Sequence, residues 1–310
     1  MSEIIVGRIV TITIAVLGVF FGAAFGGSRS PSVAVKPIEV FQGEIVELKV
    51  SGIGLAAVEG QLGKETVRFY PSGRGTFSAL VGVDLEAKPG PARVLVKGTQ
   101  RAGGYRETQI ALKIKPKAFE KESFSVPPEF DQLSPEMLER IHREQEQLTR
   151  VFSTSVPERL WENPFIAPVQ GDISSSFGYR RVINDAPRAP HTGVDLKAPM
   201  GTEVLAVNNG RVVLVGDFFF SGNSLVLDHG AGLYTMYFHL SEFRVQEGAE
   251  VRKGEVIGLS GMTGRVTGPH LHWGARLNGA RIDPFELVKK SGGMSDKAFR
   301  SDAAADKVEK

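Results

Sequence analysis

The sequence predicts a mainly β protein with two separate β domains. Two stretches, 32–117 and 161–290, contain short strand-like runs, and in the first stretch apolar and polar residues alternate with a period of two, which is typical of half-buried strands. Gly, Pro and Asn pairs interrupt both stretches at the positions of turns. Only one stretch between them has the longer period of an amphipathic helix. We therefore expect antiparallel sheets rather than alternating strands and helices.

An apolar run from Ile9 to Phe25 opens the chain after Arg8. A short polar start, an apolar run and then small residues are typical of a secretory signal or a single N-terminal anchor. The run is at the short end of the roughly 20 apolar residues that span a membrane. We expect residues 1–28 to be a signal peptide, later removed, or a retained membrane anchor. In both cases the remaining chain is expected in the cell envelope, on the outer side of the cytoplasmic membrane, as a membrane-anchored, periplasmic or secreted protein.

Residues 32–117 are predicted to form a β-sandwich of immunoglobulin-like size. Several short alternating runs are separated by turn residues, as in such sandwiches. The clearest alternating apolar positions are Val46, Leu48, Val50, Ile110, Leu112 and Ile114. The stretch contains no His. We interpret it as an accessory spacer, or as a module that binds other envelope proteins.

Residues 118–160 are predicted to be a linker that contains one amphipathic helix. Ser134 can cap this helix, Pro135 suits its first turn, and Glu136 favours the positive end of its dipole. The expected apolar stripe consists of Met137, Leu138, Ile141, Leu148 and Phe152.

A second β domain is predicted over residues 161–290, followed by a flexible polar tail at 291–310. The turns are indicated by Asn-Gly and His-Gly pairs. The strands are expected near Glu203–Val207, Arg211–Val215, Ser224–Leu227, Leu233–Phe238, Glu255–Leu259 and His270–Leu277.

Composition restricts the chemistry of this protein. The 310 residues include no Cys, which excludes thiol nucleophiles, Cys-ligated zinc and disulfides. A formal charge of +2 gives no electrostatic reason to expect a nucleic-acid partner. Any metal site must therefore be built from Asp, Glu and the six His.

Four of the six His lie in three short motifs of the second β domain. A zinc site with three N or O ligands needs such residues to converge. His270 and His272 share one face of a strand, whereas His191 and Asp195 would lie about 13 Å apart in an extended one. We expect Gly193 to allow a bend or bulge that brings these two together.

The stretch from Phe177 to Leu287 resembles the catalytic domain of the M23 metallopeptidases, the LytM or lysostaphin-type cell-wall endopeptidases. The resemblance rests on motifs in the family's order and spacing. They are Phe177-Gly178-Tyr179-Arg180, His191-Thr192-Gly193-Val194-Asp195, Ala198-Pro199-Met200-Gly201-Thr202, Tyr237-Phe238-His239-Leu240, Gly261-Met262-Thr263-Gly264, Thr267-Gly268-Pro269-His270-Leu271-His272 and Asp283-Pro284. The upstream region looks like the accessory part of membrane-tethered members.

The resemblance implies a role for each residue of a five-residue constellation, which consists of His191, Asp195, His239, His270 and His272. His191, Asp195 and His272 would hold one Zn²⁺ per catalytic domain, while His239 and His270 would be catalytic without being ligands. The implied fold is a small antiparallel β domain with a groove for a peptidoglycan peptide. The implied activity is that of a zinc metalloendopeptidase that hydrolyses cross-links or stem peptides of peptidoglycan. The sequence does not divide the acid and base roles between the two catalytic His, and it does not indicate which bond is cleaved.

The alternative is a catalytically latent LytM-type binding module that activates another cell-wall hydrolase. All five positions of the constellation are present, which favours the enzyme. The Arg181–Pro190 segment can instead cover the groove, with Asn184 or Asp185 in the open position of the metal.

Other residues near the constellation have competing interpretations. Arg180 and Arg181 are interpreted as solvated charges, or as groups that meet a substrate carboxylate. Tyr237 and Trp273 either line the groove or pack in the sheet. His229, at the end of a strand, is interpreted as structural.

Overall fold

The computed structural model describes residues 14–15, 37–124 and 133–292. The chain divides into two compact units, Met1–Lys117 and Ala118–Lys310. The predicted N-terminal segment lies outside the described residues except for Ile14–Ala15, and the predicted tail except for 291–292. Among the residues described, no helix combines the length and the apolar character needed to cross a membrane.

Nine strands form two sheets in the described part of the first unit. Strands β1, β3, β7 and β6 form one sheet in that order, and β2, β9, β8, β4 and β5 form the other. The strands are β1 (Ile14–Ala15), β2 (Ile38–Phe41), β3 (Ile45–Ser51), β4 (Leu55–Leu62), β5 (Glu65–Arg68), β6 (Tyr70–Gly73), β7 (Thr76–Gly82), β8 (Gly90–Gln100) and β9 (Tyr105–Lys115).

One apolar core lies between these two sheets. Val46, Leu48 and Val50 of β3 are buried in it, and so are Ile110 and Leu112 of β9. Because alternate residues of a strand point to opposite faces, the period-two pattern places these side chains on the inner faces. The arrangement is that of two sheets packed face to face, as the sequence predicts.

A ten-stranded sheet dominates the second unit, and all of its pairings are antiparallel. Its main path runs β11-β14-β21-β18-β17-β16-β19, while β15, β20 and β22 pair at its sides. The strands are β11 (Ile173–Ser175), β14 (Gly193–Leu196), β15 (Glu203–Leu205), β16 (Gly210–Phe218), β17 (Gly222–Gly230), β18 (Leu233–Phe243), β19 (Glu250–Val251), β20 (Val256–Ser260), β21 (Leu271–Leu277) and β22 (Ala280–Ile282). A short helix, α2 (Phe285–Lys290), follows.

The segment predicted to be a linker contributes a strand and a helix to this second unit. Strand β10 (Lys121–Phe124) pairs in parallel with β12 (Arg180–Ile183), which in turn pairs with β13 (Ala186–Pro187). A linker would be solvated on all sides, whereas this strand has a register and a partner. Residues 125–132 lie outside the described part.

Helix α1 (Pro135–Phe152) confirms the predicted cap, since Ser134 Oγ accepts a hydrogen bond from the backbone N–H of Met137. Leu148, Val151 and Phe152 pack on an apolar cluster of the main sheet, formed by Leu214, Phe218, Val226, Tyr234 and Met236. The first turn differs from the predicted stripe: Met137 and Leu138 are exposed.

Candidate active site

Two neighbouring strands position the three predicted ligands. Asp195 on β14 lies directly opposite His272 on β21, so both side chains are on the same face of the sheet. His191 comes just before β14, which begins at Gly193. The register of β14 with β21 is regular from Gly193 to Leu196. Of the bend or bulge expected at Gly193, the bulge is therefore absent: His191 reaches Asp195 because it lies in the loop that enters the strand.

The three side chains converge on one point. His191 Nε2 lies 3.0 Å from Asp195 Oδ1 and 3.0 Å from His272 Nδ1, and His272 Nδ1 lies 2.8 Å from Asp195 Oδ1. All three residues are buried. They are also the group of described side chains whose ligand atoms lie close enough together to hold one metal ion.

The hydrogen bonding of His191 tests whether a cation fits there. Its Nδ1 lies 3.0 Å from the backbone oxygen of Ser176, and a carbonyl can only accept, so Nδ1 carries the proton. In neutral His191, Nε2 is then a bare lone pair that faces the carboxylate of Asp195. Two acceptors at 3.0 Å repel each other unless a proton on one of them or a metal ion lies between them. Tetrahedral ligands of zinc lie roughly 3.3 Å apart. The triangle formed by His191 Nε2, Asp195 Oδ1 and His272 Nδ1 therefore fits such an ion after a small expansion.

Electrostatics keep the ligand atoms of Asp195 and His272 available. Burial opposes ionisation of Asp195, but its close contacts with His191 and His272 outweigh burial and hold the pKa of this carboxyl well below its usual range. Burial lowers the pKa of His272 to about 4, although Asp195 acts in the opposite direction. At neutral pH the carboxylate is therefore charged and the His272 ring neutral.

His239 and His270 lie beside the triangle. Their ring centroids are 4.8 Å apart, and His270 Nε2 lies 3.8 Å from Asp195 Oδ1. Each Nδ1 is 2.9 Å from a backbone oxygen, of Thr263 for His239 and of Gly268 for His270. Both Nδ1 atoms therefore donate, which leaves each neutral ring with a free lone pair on Nε2. Burial, together with the neighbouring His272 and His270, lowers the pKa of His239 to about 3.

The backbone at His239 brings its ring to this side of the sheet. Phe238 is paired with His272 across β18 and β21 and stacks on its ring at 5.3 Å, with 4° between the planes. In a regular strand the next residue would point to the opposite face. His239 instead has a φ of 64°, in the left-handed region, and its ring centroid lies 6.1 Å from that of His272. Residues that bear side chains rarely adopt such a φ outside turns, and strained conformations of this kind cluster at active sites.

The five residues of this site lie in a stretch of the chain that is similar to known proteins. Residues 189–284 match the sequence model of Peptidase family M23. A crystal structure from Pseudomonas aeruginosa that carries the name peptidase M23 is 31% identical, with a TM-score of 0.63. That alignment covers 82% of this chain and 96% of the other.

The chain belongs to peptidase family M23. Two curated relatives match part of this M23 chain. DD-carboxypeptidase/endopeptidase Mpg of Neisseria meningitidis is 47% identical over 116 residues, and peptidoglycan DD-endopeptidase ShyA of Vibrio cholerae is 44% identical over 115. Each match covers 37% of the M23 chain, which spans only about a quarter, 27%, of the length of either relative.

Three other candidate residues of the M23 chain, Tyr237, Trp273 and His229, are buried and stabilise the fold. Tyr237 and Trp273 are fully buried, so they pack in the sheet rather than line a groove. His229 is also buried, with Nδ1 2.7 Å from the oxygen of Asn209 and Nε2 2.7 Å from Thr235 Oγ1, which confirms its structural interpretation.

The Arg181–Pro190 segment forms the β12–β13 hairpin. Asn184 and Asp185 make its two-residue turn, with φ values of 49° and 60°, and both are exposed at its tip. The residue of this segment that reaches the site is Arg181, whose Nη2 donates to Asp195 Oδ2 at 3.2 Å. The interpretation of Arg181 as a solvated charge is therefore wrong, because its carboxylate partner is part of the site.

Several groups of the site are not indicated by any sequence pattern. The backbone oxygens of Ser176, Thr263 and Gly268 orient three imidazoles, but a carbonyl contributes nothing to a motif. Phe238 was visible only as part of the Tyr237-Phe238-His239-Leu240 motif, with no indication that its ring stacks on a ligand.

Proposed function

We propose that this M23 chain is a zinc-dependent endopeptidase that hydrolyses peptide cross-links of peptidoglycan. The observation that carries the proposal is the convergence of His191 Nε2, Asp195 Oδ1 and His272 Nδ1 beside two further imidazoles. Two His and one Asp around an otherwise open position are the donor set of a hydrolytic zinc site. Zinc bound there acts as a Lewis acid, which polarises a carbonyl and acidifies a water molecule.

We assign acid–base chemistry jointly to His239 and His270. Each ring is held through its Nδ1 by a backbone oxygen, so its orientation is set before substrate arrives. The lone pair on Nε2 can accept a proton from the attacking water. A ring that has accepted a proton can stabilise the negative oxygen formed from the scissile carbonyl, and can then protonate the leaving amine.

The substrate class follows from the relatives. The Vibrio cholerae relative is named peptidoglycan DD-endopeptidase, and the Neisseria relative is named DD-carboxypeptidase/endopeptidase. We extend this class to the present chain, with a bond between two D-amino acids as the cleaved bond. We also propose that residues 1–28 export or anchor the chain, so that residues 161–290 act outside the cytoplasmic membrane, and that the first unit contacts envelope proteins.

The test is digestion of D,D-cross-linked muropeptide dimers by the purified full chain, followed by mass spectrometry. We expect monomers to appear, chelator to stop the reaction, and added zinc to restore it. His239→Ala serves as the matched inactive control. Intact dimers in the presence of zinc would contradict the proposal. If the same preparation then accelerates a second cell-wall hydrolase, the activating module is the correct function.

A further inference from the structure

One carboxylate outside the residues that match the family model contacts the neighbours of two proposed metal ligands. Glu122, on β10, accepts a hydrogen bond at Oε2 from the hydroxyl of Ser175, at 3.1 Å. The same oxygen lies 3.5 Å from Nε of Arg181. Glu122 therefore accepts a hydrogen bond from a hydroxyl and forms an ion pair with a guanidinium at the same time.

Both of these neighbours, Ser175 and Arg181, also contact residues of the triangle. Ser175 Oγ lies 3.2 Å from His191 Nδ1. Because the hydroxyl proton of Ser175 points to Glu122, its oxygen is free to accept the Nδ1 proton of His191, alongside the carbonyl of Ser176. Arg181 Nη2 donates to Oδ2 of Asp195, the carboxylate oxygen that is not part of the triangle.

We propose that Glu122 is a positioning residue for the metal site, acting on His191 through Ser175 and on Asp195 through Arg181. The inference rests on the proposed zinc site. Groups that orient metal ligands from behind fix the tautomer of a ligating His and the rotation of a ligating carboxylate. Glu122 would do both from a segment 67 residues before the start of the family match at residue 189.

Charge gives Glu122 a second role. Arg181 is the cation between two carboxylates, those of Glu122 and Asp195. Without Glu122, the whole charge of the guanidinium would act on Asp195 and repel a divalent ion at the triangle. With Glu122 in place, the guanidinium charge is shared, and Asp195 retains its charge for the metal.

Strand β10 is held in place by contacts that do not involve the side chain of Glu122. It pairs with β12 in parallel, with Glu122 in register with Arg181. Just before the strand, the ring of Phe119 meets Phe177 edge-on at 6.3 Å and lies beneath the guanidinium of Arg180 at 5.4 Å. Glu120 accepts a hydrogen bond from the hydroxyl of Tyr179 at 3.2 Å. Removing the Glu122 carboxylate should therefore leave the strand docked.

The test compares the zinc affinity of Glu122→Ala with that of the parent and of Glu120→Ala, in the full chain. Zinc affinity is measured by competition with a chelating dye, and folding by the thermal transition of the metal-free proteins. We expect Glu122→Ala to bind zinc about 10- to 100-fold more weakly, Glu122→Gln to lose less, and Glu120→Ala to match the parent. At saturating zinc, KM should be unchanged and the remaining loss should be in kcat.

A second set of variants tests the two routes. If Glu122 acts through Ser175 and Arg181, Glu122→Ala should add little to a Ser175→Ala/Arg181→Met double variant. Parental zinc affinity in Glu122→Ala would overturn the inference. An equal loss in Glu120→Ala would also overturn it, because strand docking alone would then explain the effect. Zinc binding is measured without substrate, so absent hydrolysis contradicts the proposed function and leaves this inference standing.

Discussion

The ring of His272 fills space that Gly193 leaves open. A Cβ on Gly193 would lie 2.6 Å from His272 Nε2 and 2.5 Å from the backbone oxygen of Trp273. Heavy atoms of this kind do not approach so closely, so β14 and β21 can pair here only with a glycine at 193. The side chain that is missing from one strand thus sets the position of a proposed metal ligand on the next.

Gly193→Ala should therefore destabilise the second unit and weaken zinc binding together. Forcing a methyl group into a packed site costs about 1–3 kcal/mol, and the nearest movable group is the His272 ring. The matched control is Gly268→Ala, since a Cβ there meets nothing within 4 Å. Thermal unfolding and zinc content per chain are the measurements. Equal thermal stability and equal zinc content for Gly193→Ala and Gly268→Ala would contradict the close approach of residue 193 to the His272 ring.

Alanine variants of the five constellation residues should fall into two classes. His191→Ala, Asp195→Ala and His272→Ala should lose zinc and hydrolysis together, because each removes a corner of the triangle. His239→Ala and His270→Ala should keep most of the zinc and lose turnover, by about 10²- to 10⁴-fold for acid–base groups. Zinc content and hydrolysis rate are measured side by side. If His270→Ala empties the site while His272→Ala retains zinc, the two roles are reversed.

His229 should make the metal-free protein less stable in acid. Burial lowers its pKa to about 4, below the value of about 6.5 for an unfolded chain. The unfolded state therefore binds the proton first, so stability is full above pH 6.5 and falls between 6.5 and 4, by about 3 kcal/mol at most. His229→Gln should flatten the fall of the unfolding free energy with pH. His142→Gln, which replaces an exposed His on α1, should follow the parent; identical slopes for all three proteins would exclude this role of His229.

Replacing Asn184 tests whether the hairpin covers the metal. Asn184 is exposed at a turn with positive φ, so Asn184→Gly should keep the turn and change the hydrolysis rate by less than about twofold. Asn184→Val should loosen the hairpin, since β-branched residues avoid this conformation. A several-fold increase in the hydrolysis rate of Asn184→Gly would instead support the hypothesis that the Arg181–Pro190 segment covers the groove.

Protease protection tests the proposed location. The apolar run from Ile9 to Phe25 leads us to expect that protease added to intact spheroplasts digests residues 161–290. A cytosolic marker protein that stays intact is the control. Protection of this region under the same conditions would place it inside the cell.

The sequence alone predicted most of the architecture of the second unit. Strands expected at Leu233–Phe238 and His270–Leu277 lie within β18 and β21 almost as predicted. The reason is physical: short apolar runs bounded by turn residues are local features, and they indicate these strands even though nearly every residue of β21 and most of β18 are buried. The sequence also indicated the five candidate site residues, because each lies in a motif: His191, Asp195, His239, His270 and His272.

Tertiary structure alone decided how those residues meet. A regular strand would have pointed His239 away from Phe238, and only the φ of 64° places both rings beside His272. Glu122 reaches the site because β10 pairs with β12 across more than fifty residues of chain, and the sequence predicted a linker there. Backbone conformation and pairing between distant strands depend on the whole packed unit, so a local pattern cannot contain them.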